Sequence, residues 1–98
     1  MTVTIGDVST FPHPRADKQQ ATKILEESAE VYAAWQALQT WTKDGGSELA
    51  TPFVDNVKAE CADLITAVSN LLDALGVEDM HKEMKACERR NRARGRYE

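Results

Sequence analysis

Residues 17–43 read DKQQATKILEESAEVYAAWQALQTWTK, and this stretch decides the fold. Ala21, Ile24, Leu25, Ser28, Val31, Tyr32, Trp35, Leu38 and Trp41 recur at steps of three and four, the spacing of one face of an α-helix. Asp17 stands where an N-cap is needed, since its carboxylate can accept from an otherwise unpaired backbone N–H. Lys43-Asp44-Gly45-Gly46-Ser47 is expected to stop the helix, because two glycines do not continue one cheaply.

Working outward, a second helix is expected from Thr51-Pro52. Threonine suits the cap and proline the first turn; a turn over 47–51 before it is left open. Its stripe is Phe53, Val54, Val57, Cys61, Leu64, Ile65, Val68, Leu71, Leu72 and Leu75, closed by Gly76. A third helix is expected over Val77–Arg92, with Val77, Met80, Met84 and Cys87 as a narrow seam that Asn91 continues as a polar residue; Gly95 ends it. Residues 1–16 hold Gly6, Pro12 and Pro14 and no helical period, so they read as an extended arm. Val3 and Ile5 alternate like a strand fragment but have nothing to pair with. The expectation is therefore an arm over 1–16 and one all-α domain over 17–98.

A chain of 98 residues suffices for one small domain. Three helices alone make a thin core, so association with a second copy is expected. With 42% hydrophobic and 29% charged residues the chain reads as globular and not disordered. No run approaches the roughly 20 apolar residues of a membrane span, and the first residues lack the pattern of a secretory signal. Cys61 and Cys87 form no C-x-x-C and both fall on apolar stripes; they read as small buried thiols in a reducing cytoplasm. No phosphate-binding G-x-x-x-x-G-K-[ST] loop is present. Neither Ser-His-Asp nor Cys-His nucleophile chemistry suggests itself, and His13 and His81 have no partner at metal-ligand spacing.

Net charge is −4, with acids in the middle and Arg89, Arg90, Arg92, Arg94 and Arg96 at the end. The arginines read as a solvated helix end favoured by the helix dipole, as ligands for a triphosphate, or, less in keeping with an acidic chain, as a nucleic-acid contact.

The chemistry lies in the acids. The first helix carries Glu26, Glu27 and Glu30, and the second carries Glu60 and Asp63. Taken singly such pairs describe a solvated helix face. At roughly 100° per residue, however, Glu30 lies about −60° from Glu27, Asp63 lies about −60° from Glu60, and each apolar stripe centres near +70 to +80°. The two pairs occupy matching positions beside their stripes. If the helices pack antiparallel along those stripes, Glu27, Glu30, Glu60 and Asp63 line one groove. Carboxylates that close require a raised pKa or a cation, and hard oxygen ligands select Mg²⁺, Mn²⁺ or Ca²⁺, of which Mg²⁺ with open water positions suits phosphate chemistry. Such a cation neutralises phosphate oxygens and activates water, with Glu26 able to orient the attacking water.

At these residues the chain resembles the MazG-like all-α nucleotide pyrophosphohydrolases. Lys23-Ile24-Leu25-Glu26-Glu27-Ser28-Ala29-Glu30-Val31 is similar to that superfamily's first motif, and Glu60-Cys61-Ala62-Asp63-Leu64 to its second, E-x-x-D. Leu75-Gly76-Val77 with the following helix, and the tail Asn91-Arg92-Ala93-Arg94-Gly95-Arg96-Tyr97, are similar to the closing segments of small members, phage-borne ones included. Cys87 stands where many members place a lysine. The resemblance implies a four-helix-type core of long helices completed by homodimerisation, sometimes as a dimer of dimers. It implies a Mg²⁺-dependent hydrolase that cleaves a nucleoside triphosphate or related nucleotide to the monophosphate and pyrophosphate. Carried onto this chain, Glu27, Glu30, Glu60 and Asp63 become metal ligands and Glu26 and Glu27 catalytic groups, while Asn91 and Arg94 contact phosphate or sugar. Trp35 lies on the apolar stripe and reads as packing, or as a ring stacked on the base. The expected partners are a nucleotide and a second copy, with no nucleic-acid polymer and no membrane. The competing reading is a non-catalytic dimeric helical module.

Overall fold

The structure, a computed structural model, describes residues 1–43 and 51–98. It is all-helical: α1 spans Lys18–Lys43, α2 Thr51–Ala74 and α3 His81–Ala93, with no strand among the described residues. The glycine stop at Gly45-Gly46 and the question of an extra turn over 47–50 lie outside the described residues.

Asp17 caps α1: its Oδ1 accepts from the backbone N–H of Gln20 at 2.8 Å, satisfying one of the first-turn donors that have no partner within the helix. Pro52 stands in the first described turn of α2, where its missing N–H costs nothing. At the far end Gly76, with φ +80°, sends its N–H to the carbonyl of Asp73 at 2.9 Å, and Val77 N–H reaches back to Leu72 at 2.9 Å. These paired bonds close a helix around a left-handed residue, and only glycine enters that region without strain. They also correct the expected start of α3. Val77 is committed to ending α2, and Asp79 Oδ1 then accepts from His81 N–H at 2.8 Å, so α3 starts at His81 and not at Val77. The same closing pair recurs at Gly95 (φ +72°), where Gly95 N–H meets Arg92 and Arg96 N–H meets Asn91.

α1 and α2 pack against each other as an antiparallel hairpin, while α3 barely touches them. Near the connection Trp41 stacks on Phe53 with centroids 5.2 Å apart, a favourable offset for two rings. The buried line follows small and polar residues: Ala34 and Glu27 on α1, Ala67 and Asn70 on α2. Measured from Glu27 at roughly 100° per residue, Ala34, Leu38 and Val31 lie within about 40° of it, whereas Trp35, Tyr32 and Leu25 lie at about +80 to +160°. The apolar stripe is thus wider than one neighbouring helix covers. Leu25 remains 71% and Trp35 46% exposed on α1, and Val54 and Val68 on α2 and Leu75 just past its end are exposed as well.

The chain is correspondingly open. Its radius of gyration is 16.2 Å, against about 13 Å for a compact domain of this length. Its accessible surface is 8041 Å², against roughly 5,600 Å² for a folded monomer of this mass. No helix among the described residues is long and apolar enough to cross a membrane.

The arm over 1–16 is extended but fastened to α2. Phe11 N–H donates to Asn70 Oδ1 at 2.8 Å, and Thr10 Oγ1 donates to Asp73 Oδ2 at 2.6 Å. Between Pro12 and Pro14, His13 holds φ 57°, which costs an L-residue roughly 1 kcal/mol. Asn70 is only 3% exposed, so its amide is an anchor on rigid ground. Asn70→Ala is expected to destabilise the chain by about 1–2 kcal/mol and to accelerate amide exchange at Phe11. Urea unfolding and hydrogen exchange report the two effects separately.

Candidate metal centre

Glu27 lies in the middle of the α1–α2 contact and is 7% exposed. Its Oε1 is 3.2 Å from Lys23 Nζ, one turn earlier on the same helix. Its Oε2 is buried with no hydrogen-bond partner. Across the hairpin, Glu60 is half-buried, and its Oε2 is likewise buried and unpartnered. An unsatisfied buried carboxylate oxygen is costly, and each of these two acids carries one.

Glu30 completes the group. One oxygen from each of Glu27, Glu30 and Glu60 lies within 4.8 Å of the others. A divalent ion with oxygen ligands at about 2.1–2.5 Å holds them within about 4–5 Å of one another, so the three carboxylates, of which Glu30 is exposed, could hold one hard cation. The electrostatics agree. Repulsion from the Glu27 charge, then a proton shared with Glu60 and the Glu60 charge, push the Glu30 carboxyl above its ordinary value of 4.5. Hydrogen bonding to Glu27, the charge of Glu27 and that of Glu26 hold Lys23 protonated above its usual range.

Asp63 is not among the converging oxygens. It lies about three residues beyond Glu60 on α2 and lines, with Glu27, a cleft of about 660 Å³ between the hairpin and the arm. The expected four-acid groove is thus three converging carboxylates with a fourth beside them on the cleft wall. The stripe reading also needs correction for Glu27. The line that α2 covers runs through Glu27 itself, not about 80° away, because the far half of the stripe is left open.

The other expected site residues lie elsewhere. Glu26 is exposed and tied to Lys23 at 3.5 Å. Trp35 is on the uncovered side of α1, its ring 5.7 Å from that of Tyr32. Asn91 accepts from Arg96 Nη1 at 2.9 Å and its amide faces Cys87 Sγ at 3.5 Å, so it secures the turn that ends α3. Arg94 is exposed at the C-cap of that helix. Within one chain the structure does not bring Trp35, Asn91 or Arg94 to the acids.

Lys23 and Asn70 carry roles that the sequence reading passed over. Both had a signal. Lys23 precedes Glu27 by one helical turn, and Asn70 follows Asp63 by two turns, which keeps each pair on one face. The contribution of Phe11 to Arg15 in the arm to the cleft had no such signal, since an extended segment has no periodicity to place it.

The raised Glu30 value sets a pH dependence. The folded chain holds that proton to higher pH than the unfolded chain does, so stability is full below the ordinary glutamate range and falls as pH rises through the folded-state value. In metal-free buffer, Glu30→Gln should therefore gain in melting temperature over the unaltered chain as pH is raised from about 4 to about 7. Thermal unfolding of both proteins across that range checks the sign.

Compared with known protein families, with curated proteins and with solved structures, the chain finds no match.

Proposed function

We propose that this protein is a Mg²⁺-dependent nucleotide pyrophosphohydrolase, cleaving a nucleoside triphosphate or related nucleotide to the monophosphate and pyrophosphate, with Mn²⁺ as an acceptable substitute. The observation that carries the reading is the convergence of one carboxylate oxygen from each of Glu27, Glu30 and Glu60, two of which residues, Glu27 and Glu60, also hold a buried Oε2 without a hydrogen-bond partner. Such oxygens are stable when a cation takes them. Glu27, Glu30 and Glu60 would hold the ion, and Asp63 stands on the adjoining cleft wall. When bound, Mg²⁺ supplies charge neutralisation at the phosphate oxygens and activation of water. The chain itself supplies position. Lys23 fixes the Glu27 carboxylate from one side, and Glu26 steadies Lys23 in turn. The half-enclosed cleft keeps the reacting phosphates out of bulk water, where charge stabilisation is weaker.

The four-helix core belongs to the same proposal. Leu25, Tyr32 and Trp35 on α1, Val54 and Val68 on α2 and Leu75 just past its end are exposed, and at roughly 100° per residue they fall on one side of an antiparallel hairpin. A second hairpin laid there completes four helices, and the surface excess over a compact monomer, roughly 2,400 Å², is in the range that permanent homodimers bury. The rival reading, a non-catalytic dimeric module, draws on this same apolar side. It leaves the buried carboxylates without a purpose.

The two readings separate on activity. With Mg²⁺ and a panel of nucleotides, the purified chain should release pyrophosphate. Glu60→Gln should lower turnover by at least about 100-fold while the far-ultraviolet dichroism stays helical. A Mg²⁺-insensitive melting curve together with no release of pyrophosphate would leave only the module. For the assembly, sedimentation should give about twice the 10.9 kDa chain mass, and Trp35→Glu should shift the protein toward monomer.

A further inference from the structure

The cleft beside the acids has two walls of different chemistry. One is the hairpin, which presents Glu27 and Asp63. The other is the arm, which presents Phe11, His13 and Arg15. At about 660 Å³ the space between them falls in the range of small-molecule sites. The arm is not loosely draped there. Its backbone is pinned at Phe11 by the buried Asn70 and at Thr10 by Asp73, and prolines on either side of His13 restrict the chain that follows.

Fixing the backbone at Phe11 leaves its ring free: the residue is 65% exposed at the cleft. An aromatic side chain held by its main chain but not packed by its ring is arranged to meet a flat partner. Arg15, four residues on, has no carboxylate within 4.0 Å among the described residues. By contrast Lys23, the cation nearest the acids, is already engaged by Glu26 and Glu27. Arg15, without an ion pair among the described residues, thus lines the same cleft as Glu27 and Asp63. Guanidinium groups match phosphate oxygens by charge and by paired hydrogen bonds, and aromatic faces stack on nucleobases.

We infer that the N-terminal arm is the recognition wall of this cleft for a nucleoside triphosphate, with Phe11 stacking on the base and Arg15 holding the phosphate chain in the cleft it shares with Glu27 and Asp63. This assignment rests on the reading of the chain as a nucleotide pyrophosphohydrolase. It gives the extended segment a role that the acidic motifs alone do not require.

The test compares two ligands on the full chain in the presence of Mg²⁺, by calorimetry. One is the set of deoxynucleoside triphosphates with an α,β-methylene bridge, which resist hydrolysis, and the other is inorganic tripolyphosphate. Phe11→Ala should weaken the best-bound nucleotide about tenfold and leave tripolyphosphate unchanged, with Phe11→Trp retaining the affinity. Arg15→Ala should weaken both ligands about tenfold. Unchanged nucleotide affinity in both variants overturns the assignment. So does an equal loss of both ligands in Phe11→Ala, which would make the ring a prop for the arm. If the unaltered chain binds Mg²⁺ but neither ligand and releases no pyrophosphate, the functional reading falls and the arm assignment falls with it. That outcome is distinct from one in which the unaltered chain binds nucleotide and the arm variants bind it equally well.

Discussion

Glu27 sits inside the only extensive helix–helix contact among the described residues, one oxygen tied to Lys23 and the other tied to nothing. Burying a carboxylate costs several kcal/mol unless it is paired and its oxygens are satisfied. The hairpin compounds that cost by bringing Glu60 and Glu30 to the same place. A fold optimised for stability alone would have put an aliphatic side chain there. The rest of the buried contact line is made of small or polar side chains, Ala34, Ala67 and Asn70. Ala34 and Ala67 let the helices approach while the acids take the central position.

That arrangement leaves little apolar core inside one chain. The aliphatic and aromatic residues that would form it are divided between the two sides of the hairpin, and the half carrying Leu25, Tyr32 and Trp35 is uncovered. α3 does not cover it, since it makes little contact with the hairpin. The thin core and the acidic centre go together: polar side chains occupy the interface between α1 and α2, and much of the apolar surface of both helices stays exposed.

The helices were legible because their evidence is local. The three- and four-residue steps, Asp17 at the cap, Pro52 in the first turn, and Gly76 and Gly95 as stops all act within one or two turns of themselves. The start of α3 was misplaced because the residue after a glycine stop is claimed by the helix before it. Val77 bonds back to Leu72, and only Asp79 opens the next helix. The acids Glu27, Glu30 and Glu60 were legible as members of one group because their matching offsets put them beside the faces along which the two helices pack. The separation of Asp63 from that group was not, because it depends on the rotation of one helix about its axis, which a stripe wider than its partner leaves undetermined.

By itself the sequence determined that long helices form, where their turns close, and that carboxylates recur beside apolar faces. Each of these follows from side chains a few residues apart on one rigid cylinder. Only the tertiary structure decided which part of each wide stripe is covered, that Glu27 and not its aliphatic neighbours is buried, and that the arm folds back to Asn70 to close a cleft. Those outcomes depend on which surfaces far apart in the chain meet, and periodicity carries no information about that choice.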